Sequence, residues 1–234
     1  RSEPIAPEVL QDMLEAASRA STCGNMQLYS LIVTQSRELR EALAPCHFNQ
    51  PMVTQAPCVI TVCADVHRFS MWCEQRDAEP CYDNFAWFLN GVTDALLAAQ
   101  NLCVEAEAHG LGICYLGTTI YTAEEIARIL DLPKGVIPVT TIVVGHPDES
   151  PELTDRLPLD AVVHCEKYHH YTSSEIDELW AEKETSEETR RLLEENGLPN
   201  LAQIFTRNRY RAEDNLAISR NYFALLKKQG FFNN

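Results

Sequence analysis

The sequence predicts an α+β fold, and three observations carry that prediction. Two mainly apolar runs, Val59 to Cys63 and Val139 to Gly145, have the length and β-branched content of buried strands. Helical segments account for most of the remaining chain, and Phe85 to Ala108 is the most apolar long one. Few βαβ units and no internal repeat are present.

From the N-terminus, Val9, Leu10, Met13, Leu14 and Ala17 recur at helical spacing within Pro7 to Ala20, before a polar break over Ser21 to Asn25. Leu28 to Val33 is expected as a strand, Glu38 to Leu43 as a helix, and Val59 to Cys63 as a second, buried strand. Asp65 to Gln75 reads as a further helix and Arg76 to Asp83 as a lid-like loop. The long helix is followed by a strand at Ile113 to Leu116. The next helix runs to Leu130, and its start, Thr122-Ala-Glu-Glu125, has capping-box spacing. The same spacing at Thr172 to Glu175 opens a charged helix, and a last helix spans about Ala212 to Gln229 before Gly230.

At 234 residues the chain suffices for one large domain or two small ones. No linker composition interrupts residues 1–165, so a single domain over 1–234 is expected. Its core would occupy about 1–165, with a helical excursion and a C-terminal helix over about 170–234.

The formal charge of -15 disfavours a nucleic-acid or anionic-membrane surface. Much of the acidic excess lies in 173–196, where a solvated helix face is the ordinary reading. Nine cysteines, odd in number and without CxxC spacing, suit reduced thiols and a cytoplasmic location. Cys73 and Cys81 flank a polar loop and are open to being reactive or ordinary thiols. The seven histidines show no metal-binding spacing, and no metal is expected. Asp94, Gln100, Asn101, Glu105 and Glu107 interrupt the long apolar helix, which is therefore expected inside protein rather than in a membrane. The chain opens on Arg1 rather than Met, which leaves processing or a preceding segment open.

Gly110, Gly112 and Gly117 superficially suggest a dinucleotide fingerprint. That fingerprint needs a strand before the glycines and a helix opening on them, whereas here a helix precedes and a strand follows. The segment reads instead as a helix end, a strand, and a bare backbone at Gly117 that a flat or phosphorylated ligand can approach.

Several segments in chain order carry a resemblance. They are AASRASTCGNMQLYSLIV (Ala16 to Val33), Asn49-Gln50 with the following TQAP and VCAD, and GVTDALLAAQNLCVEAEAHGLGICYLG. LDLPKGVIPVTTIVVGHPDESPELTDRLP follows, and then a terminal region from FTRNRYRAEDN to LLKKQGF. Together they resemble the FMN-dependent nitroreductase and flavin reductase family, in its oxygen-insensitive NADPH branch, over nearly the whole chain. The resemblance implies a mixed, mostly antiparallel sheet flanked by helices in an interlocked homodimer. It also implies FMN at the subunit interface and ping-pong use of NAD(P)H to reduce a small aromatic oxidant, whether a nitroaromatic, a quinone or free flavin. No catalytic acid or base is then required, because the hydride chemistry belongs to the flavin.

By this resemblance Thr22, Cys23, Gly24, Asn25 and Gln27 match the flavin-edge segment, although a plain helix-to-strand turn would use similar residues. Gln50 matches an amide against the flavin, or is an exposed loop residue. Tyr115, Leu116, Gly117 and Thr118 match the stretch beside the ring, where a main-chain N–H would face N5. Arg156 matches the arginine that holds the FMN phosphate, against a surface ion pair with Asp155 or Asp160 as the plain alternative. Arg207 and Arg209, with Arg211, form a basic knot suited to a 2′-phosphate or simply lead into a helix. Trp72 and Tyr82, with Phe85 and Trp87, either line the substrate mouth or pack the core.

Two departures from the family pattern stand out. The family's N-terminal Arg-Ser-x-Arg phosphate clamp falls upstream of Arg1, and Thr154 replaces a basic residue beside the matching arginine. Weaker hold on phosphate and on reduced flavin is expected, and a flavin-binding or structural dimer with lost or different activity is the alternative reading.

Overall fold

The structure is a computed structural model that describes residues 1–233. The chain divides into two compact units, 1–149 with 218–234, and 150–217.

The first unit is built on a four-stranded sheet of β1 (Tyr29–Thr34), β2 (Cys58–Asp65), β3 (Gly112–Leu116) and β4 (Val136–Gly145), in the order β1-β2-β4-β3. All three pairings are antiparallel. The central strand β2 is buried at every residue, as its mainly apolar, β-branched sequence predicts, and Thr61 and Asp65 are buried with it. Register sets the two faces. Ile60, Val62 and Ile142 point toward α1 (Pro7–Ser18) and the long helix, and they share a core with Met13, Ala17, Ala95, Ala99 and Leu102. Val59, Leu116 and Val143 point the other way, against Ala44, Val53 and Ala56. That second layer comprises α2 (Arg37–Leu43), a 3-10 turn over Ala44–His47, and α3 (Pro51–Gln55).

After β2 come α4 (His67–Glu74) and the long helix α5 (Phe85–Ala108), whose ends match those expected from the sequence. Asn84 caps α5 by accepting from the Trp87 N–H at 3.3 Å. Gly91 permits the closest approach of α5 to the sheet, since a Cβ there would lie 3.1 Å from the Ala64 Cβ and 3.2 Å from the Leu28 carbonyl oxygen. Beyond β3, a 3-10 turn over Gly117–Ile120 leads into α6 (Ala123–Ile129).

The capping box expected at Thr122 is absent. Its hydroxyl instead donates to the Cys46 carbonyl at 2.8 Å, and Glu125 pairs with Arg128. A tertiary acceptor competes successfully for the capping hydroxyl.

The second unit opens with irregular chain and then holds α7 (Ser173–Thr185), α8 (Glu187–Asn196) and α9 (Leu201–Ile204). The capping box at Thr172 is present, with Glu175 accepting from the Thr172 N–H at 2.7 Å. The charged stretch Ser173 to Gly197, expected as surface helices, divides at Ser186, which ends α7 and caps α8 through a bond from the Thr189 N–H at 3.1 Å. A π-helical turn over Phe205–Arg209 precedes α10 (Ala212–Lys228). Among the described residues, no helix is long and apolar enough to cross a membrane.

Candidate functional site

The expected cofactor residues of the first unit fall into two groups at opposite edges of the sheet. The first is the loop from Thr22 to Gln27, which enters edge strand β1. Three of its residues hold left-handed backbone: Gly24 at φ 55°, Asn25 at φ 57° and Gln27 at φ 48°. Such conformations persist only where surrounding contacts impose them. Here the contacts come from Asp94, a carboxylate on α5 that is only 1% exposed. It accepts from the Thr22 hydroxyl, from the Cys23 N–H at 2.8 Å and from the Leu28 N–H at 3.1 Å. The Thr22 oxygen in turn accepts from the Gln27 N–H at 2.9 Å.

Thr22 thus spends its hydroxyl proton inside the protein. Cys23 and Asn25 remain exposed, and the Gln27 side-chain amide bonds Asn25. Arg68 on α4 adds cationic donors to the same edge, reaching the Gln27 and Tyr29 carbonyls and pairing with Asp65 at 3.3 Å. Neither Asp94 nor Arg68 was singled out as functional by sequence. Asp94 appeared only as an interruption of an apolar helix, which is the one signal that a buried carboxylate leaves.

The second group joins Gln50 to the turn after β3, the opposite edge strand. His47 makes the connection. Its Nδ1 lies 2.9 Å from the Thr118 hydroxyl, and its carbonyl accepts from the Gln50 N–H at 3.1 Å. His47 is fully buried, its Nε2 has no partner among the described residues, and burial lowers its pKa to about 4, so the ring is neutral near pH 7. Phe48 and Asn49 follow in left-handed backbone, at φ 55° and 54°. A Cβ on Gly117 would meet no atom within 4 Å, so the space in front of that backbone is open. Leu116 is buried in the second layer, whereas Tyr115 turns to the α5 side, its hydroxyl 3.5 Å from the Gln100 side chain.

Three strand spacings separate the edges, about 14 Å across the sheet alone. One protomer therefore does not bring Gln27 and Gly117 together.

Trp72 and Tyr82 belong to an aromatic chain. Phe69 lies 5.3 Å from Trp72 and 5.2 Å from Tyr82, and Tyr82 lies 4.7 Å from Trp87. Phe69, Tyr82 and Trp87 pack on the core beneath, but Trp72 stays 53% exposed. Of the two thiols flanking the polar loop, Cys73 is buried and Cys81 exposed, and all nine cysteines are free.

In the second unit, Arg156 makes no ion pair with Asp155 or Asp160. Its guanidinium donates to the Thr154 hydroxyl at 2.7 Å and the Asp155 carbonyl at 2.8 Å, while the Asp155 carboxylate pairs with Lys183 at 2.6 Å. Arg156 and Arg209 line one cleft of that unit, together with Lys183 and Phe205. Arg209 stands over the Phe205 ring at 5.5 Å. Arg211 is committed to Asp214 at 2.7 Å, which reduces the basic knot to Arg207 and Arg209. Among the described residues, no histidine, cysteine and carboxylate cluster is arranged to hold a metal.

Comparison with known proteins identifies the class to which this sheet and its two polar edge loops belong. The sequence pattern of the nitroreductase family matches residues 1–146, and the chain belongs to that family. An NADPH-dependent oxidoreductase of Staphylococcus aureus strain USA300 is 34% identical over 173 residues, covering 72% of this chain and 68% of the relative. A solved protein from Bacteroides fragilis NCTC 9343 superposes with a TM-score of 0.97 at 48% identity, covering 100% of this chain and 95% of the other. The NADPH:FMN oxidoreductase of Vibrio harveyi, solved in complex with NAD+, superposes with a TM-score of 0.81 at 25% identity, covering 100% and 93%. Family and relatives support NAD(P)H-dependent oxidoreduction.

Proposed function

We propose that the chain is an FMN-dependent NAD(P)H oxidoreductase acting as a homodimer, with each flavin held between the β1 edge of one protomer and the β3 edge of its partner. The observation that carries this reading is the separation of the two polar groups to opposite edges of one sheet. A second copy would supply the missing half of each site. An apolar stripe on α5 supports the pairing: Leu89, Leu96 and Val104 recur at helical spacing and are 48%, 43% and 57% exposed.

The residues fit a flat, polar cofactor. Gly117 leaves space for close approach, Gln50 offers both donor and acceptor, and the loop at Asn25 and Gln27 presents uncharged amides. Arg156, exposed and free of carboxylate, is the candidate for the phosphate, and Thr154 orients it. Bound FMN would supply the hydride relay, taking two electrons from NAD(P)H and passing them to a nitroaromatic, quinone or free flavin in alternating half-reactions. The chain's own work is to fix ring and nicotinamide in contact and to keep the surrounding donors oriented. Asp94 holds the first loop, and Arg207 and Arg209 favour NADPH through its 2′-phosphate.

Anaerobic addition of NADPH to the FMN-reconstituted protein is expected to bleach the visible flavin band, and a quinone to restore it. A bound flavin that NADPH leaves unchanged overturns the reading in favour of a non-catalytic flavoprotein. In Arg207→Ala combined with Arg209→Ala, kcat/KM for NADPH is expected to fall about tenfold toward that for NADH, the loss of one good charged contact.

A further inference from the structure

We propose that His47 is a positioning residue that couples Gln50 to the Gly117–Thr118 turn, so that the side-chain and main-chain arms of the second half-site are set as one unit. The inference rests on the flavin reading above for its consequence, but the coupling itself is a property of the chain.

Both arms run through this one residue. The His47 carbonyl receives the Gln50 N–H at 3.1 Å, and its ring nitrogen Nδ1 meets the Thr118 hydroxyl at 2.9 Å. The intervening backbone has little freedom. Phe48 and Asn49 are left-handed, and the Asn49 N–H is tied back to the Ala44 carbonyl at 2.9 Å. On the other side, Thr122 bonds the Cys46 carbonyl at 2.8 Å, which pins the turn after β3 to the same 3-10 turn that carries His47. A shift of Thr118 is thereby passed to Gln50 through a buried ring and two fixed peptide units.

The unpartnered Nε2 argues that His47 is more than filler. Either tautomer leaves one buried polar atom unsatisfied, a cost that an apolar residue of similar size would avoid. A polar group kept under that cost and bonded to Thr118, the residue after the open backbone at Gly117, is in the position of a group that orients its neighbours. Being neutral, the ring can accept a hydrogen bond from the Thr118 hydroxyl at Nδ1 and hold that hydroxyl turned inward. The Thr118 main-chain N–H is then fixed in direction.

The test is a cycle of His47→Gln, Thr118→Val and the double variant, read in two ways. In the FMN-free protein, Thr118→Val is expected to shift the Gln50 main-chain amide resonance, and to shift it no further when His47 is already replaced. FMN titration by fluorescence quenching is expected to show each single variant about tenfold weaker and the double variant no weaker than either. Thr118→Ser, which keeps the hydroxyl, should restore the wild-type Gln50 resonance and affinity.

A Gln50 resonance indifferent to Thr118→Val, or losses in FMN affinity that simply add, would overturn the proposal. Should His47→Gln fail to fold, the Val and Ser variants at position 118 decide it alone. A protein that shows the Gln50 shift but binds no FMN refutes the flavin reading and leaves the coupling standing.

Discussion

At position 94 a carboxylate sits almost without solvent contact and accepts three bonds from a loop that is more than sixty residues away in sequence. Removing it strands two main-chain donors and a hydroxyl. Asp94→Ala is therefore expected to lose roughly 3 kcal/mol of stability, seen as a lower urea midpoint, and to weaken FMN retention as the loop at Gly24 to Gln27 relaxes. Unchanged stability would show that water replaces the carboxylate. His47, equally buried, makes a second prediction at this scale. Its ordinary pKa of 6.5 falls to about 4 because burial penalises the charged ring. Between those values the unfolded chain takes up a proton that the folded chain refuses. This stabilising contribution is complete above pH 6.5 and declines as pH falls toward 4, by roughly 3 kcal/mol in all. Replacing His47 with Gln is expected to flatten that part of the pH–stability curve, measured by denaturant midpoints at half-unit steps. An unaltered slope would assign the acid sensitivity elsewhere.

Among the elements, α5 does most to connect fold and site, since Gly91 lets it sit close to the sheet and Asp94, one turn later, reaches the loop before β1. Gly91→Val would place a branched side chain against the Ala64 Cβ and the Leu28 carbonyl, both fixed in the sheet region. The expected result is a loss of about 2 kcal/mol or more, with weaker FMN binding in parallel, because the helix must lift and take Asp94 with it. Thermal and urea unfolding check the first part and a flavin titration the second; a loss of stability with FMN affinity intact would separate the helix from the loop. The ends of α5 were legible because a long apolar segment starts at Phe85 and a helix-ending glycine follows at Gly110, whereas the cap at Asn84 was not read from the sequence. Strands β2 and β4 were legible because both are mainly apolar and rich in β-branched residues. The cap at Thr122 misled, since its alternative acceptor, the Cys46 carbonyl, arrives only with the tertiary fold. Ser186 was hidden inside a uniformly charged stretch, where composition does not mark the break. The partners of Asp94 and of His47 were likewise invisible, because a buried polar residue is defined by what surrounds it. What sequence did place were the loops themselves, through glycine, amide and aromatic residues at spacings like the family's.

For the whole molecule, the proposed half-sites at opposite edges of a four-stranded sheet would tie cofactor binding to self-association. If each flavin needs the β1 edge of one copy and the β3 edge of another, dilution below the dimer dissociation constant should release FMN and monomer together. The α5 stripe offers the means to test this without touching either polar group. Leu96→Glu with Val104→Lys exchanges two exposed apolar side chains for charges that a closely packed helix face would have to desolvate, whereas a free monomer surface would accept them at little cost. The double variant is expected to keep its circular dichroism spectrum, to sediment as a monomer at concentrations where the unaltered chain is a dimer, and to bind FMN at least a hundredfold more weakly. Supplying excess FMN should pull part of the variant back into dimer, because linkage requires a ligand bound only by the dimer to favour it. A monomeric variant that binds FMN with unaltered affinity would place the complete cofactor site within one protomer, and the polar groups at the two edges would then need separate explanations.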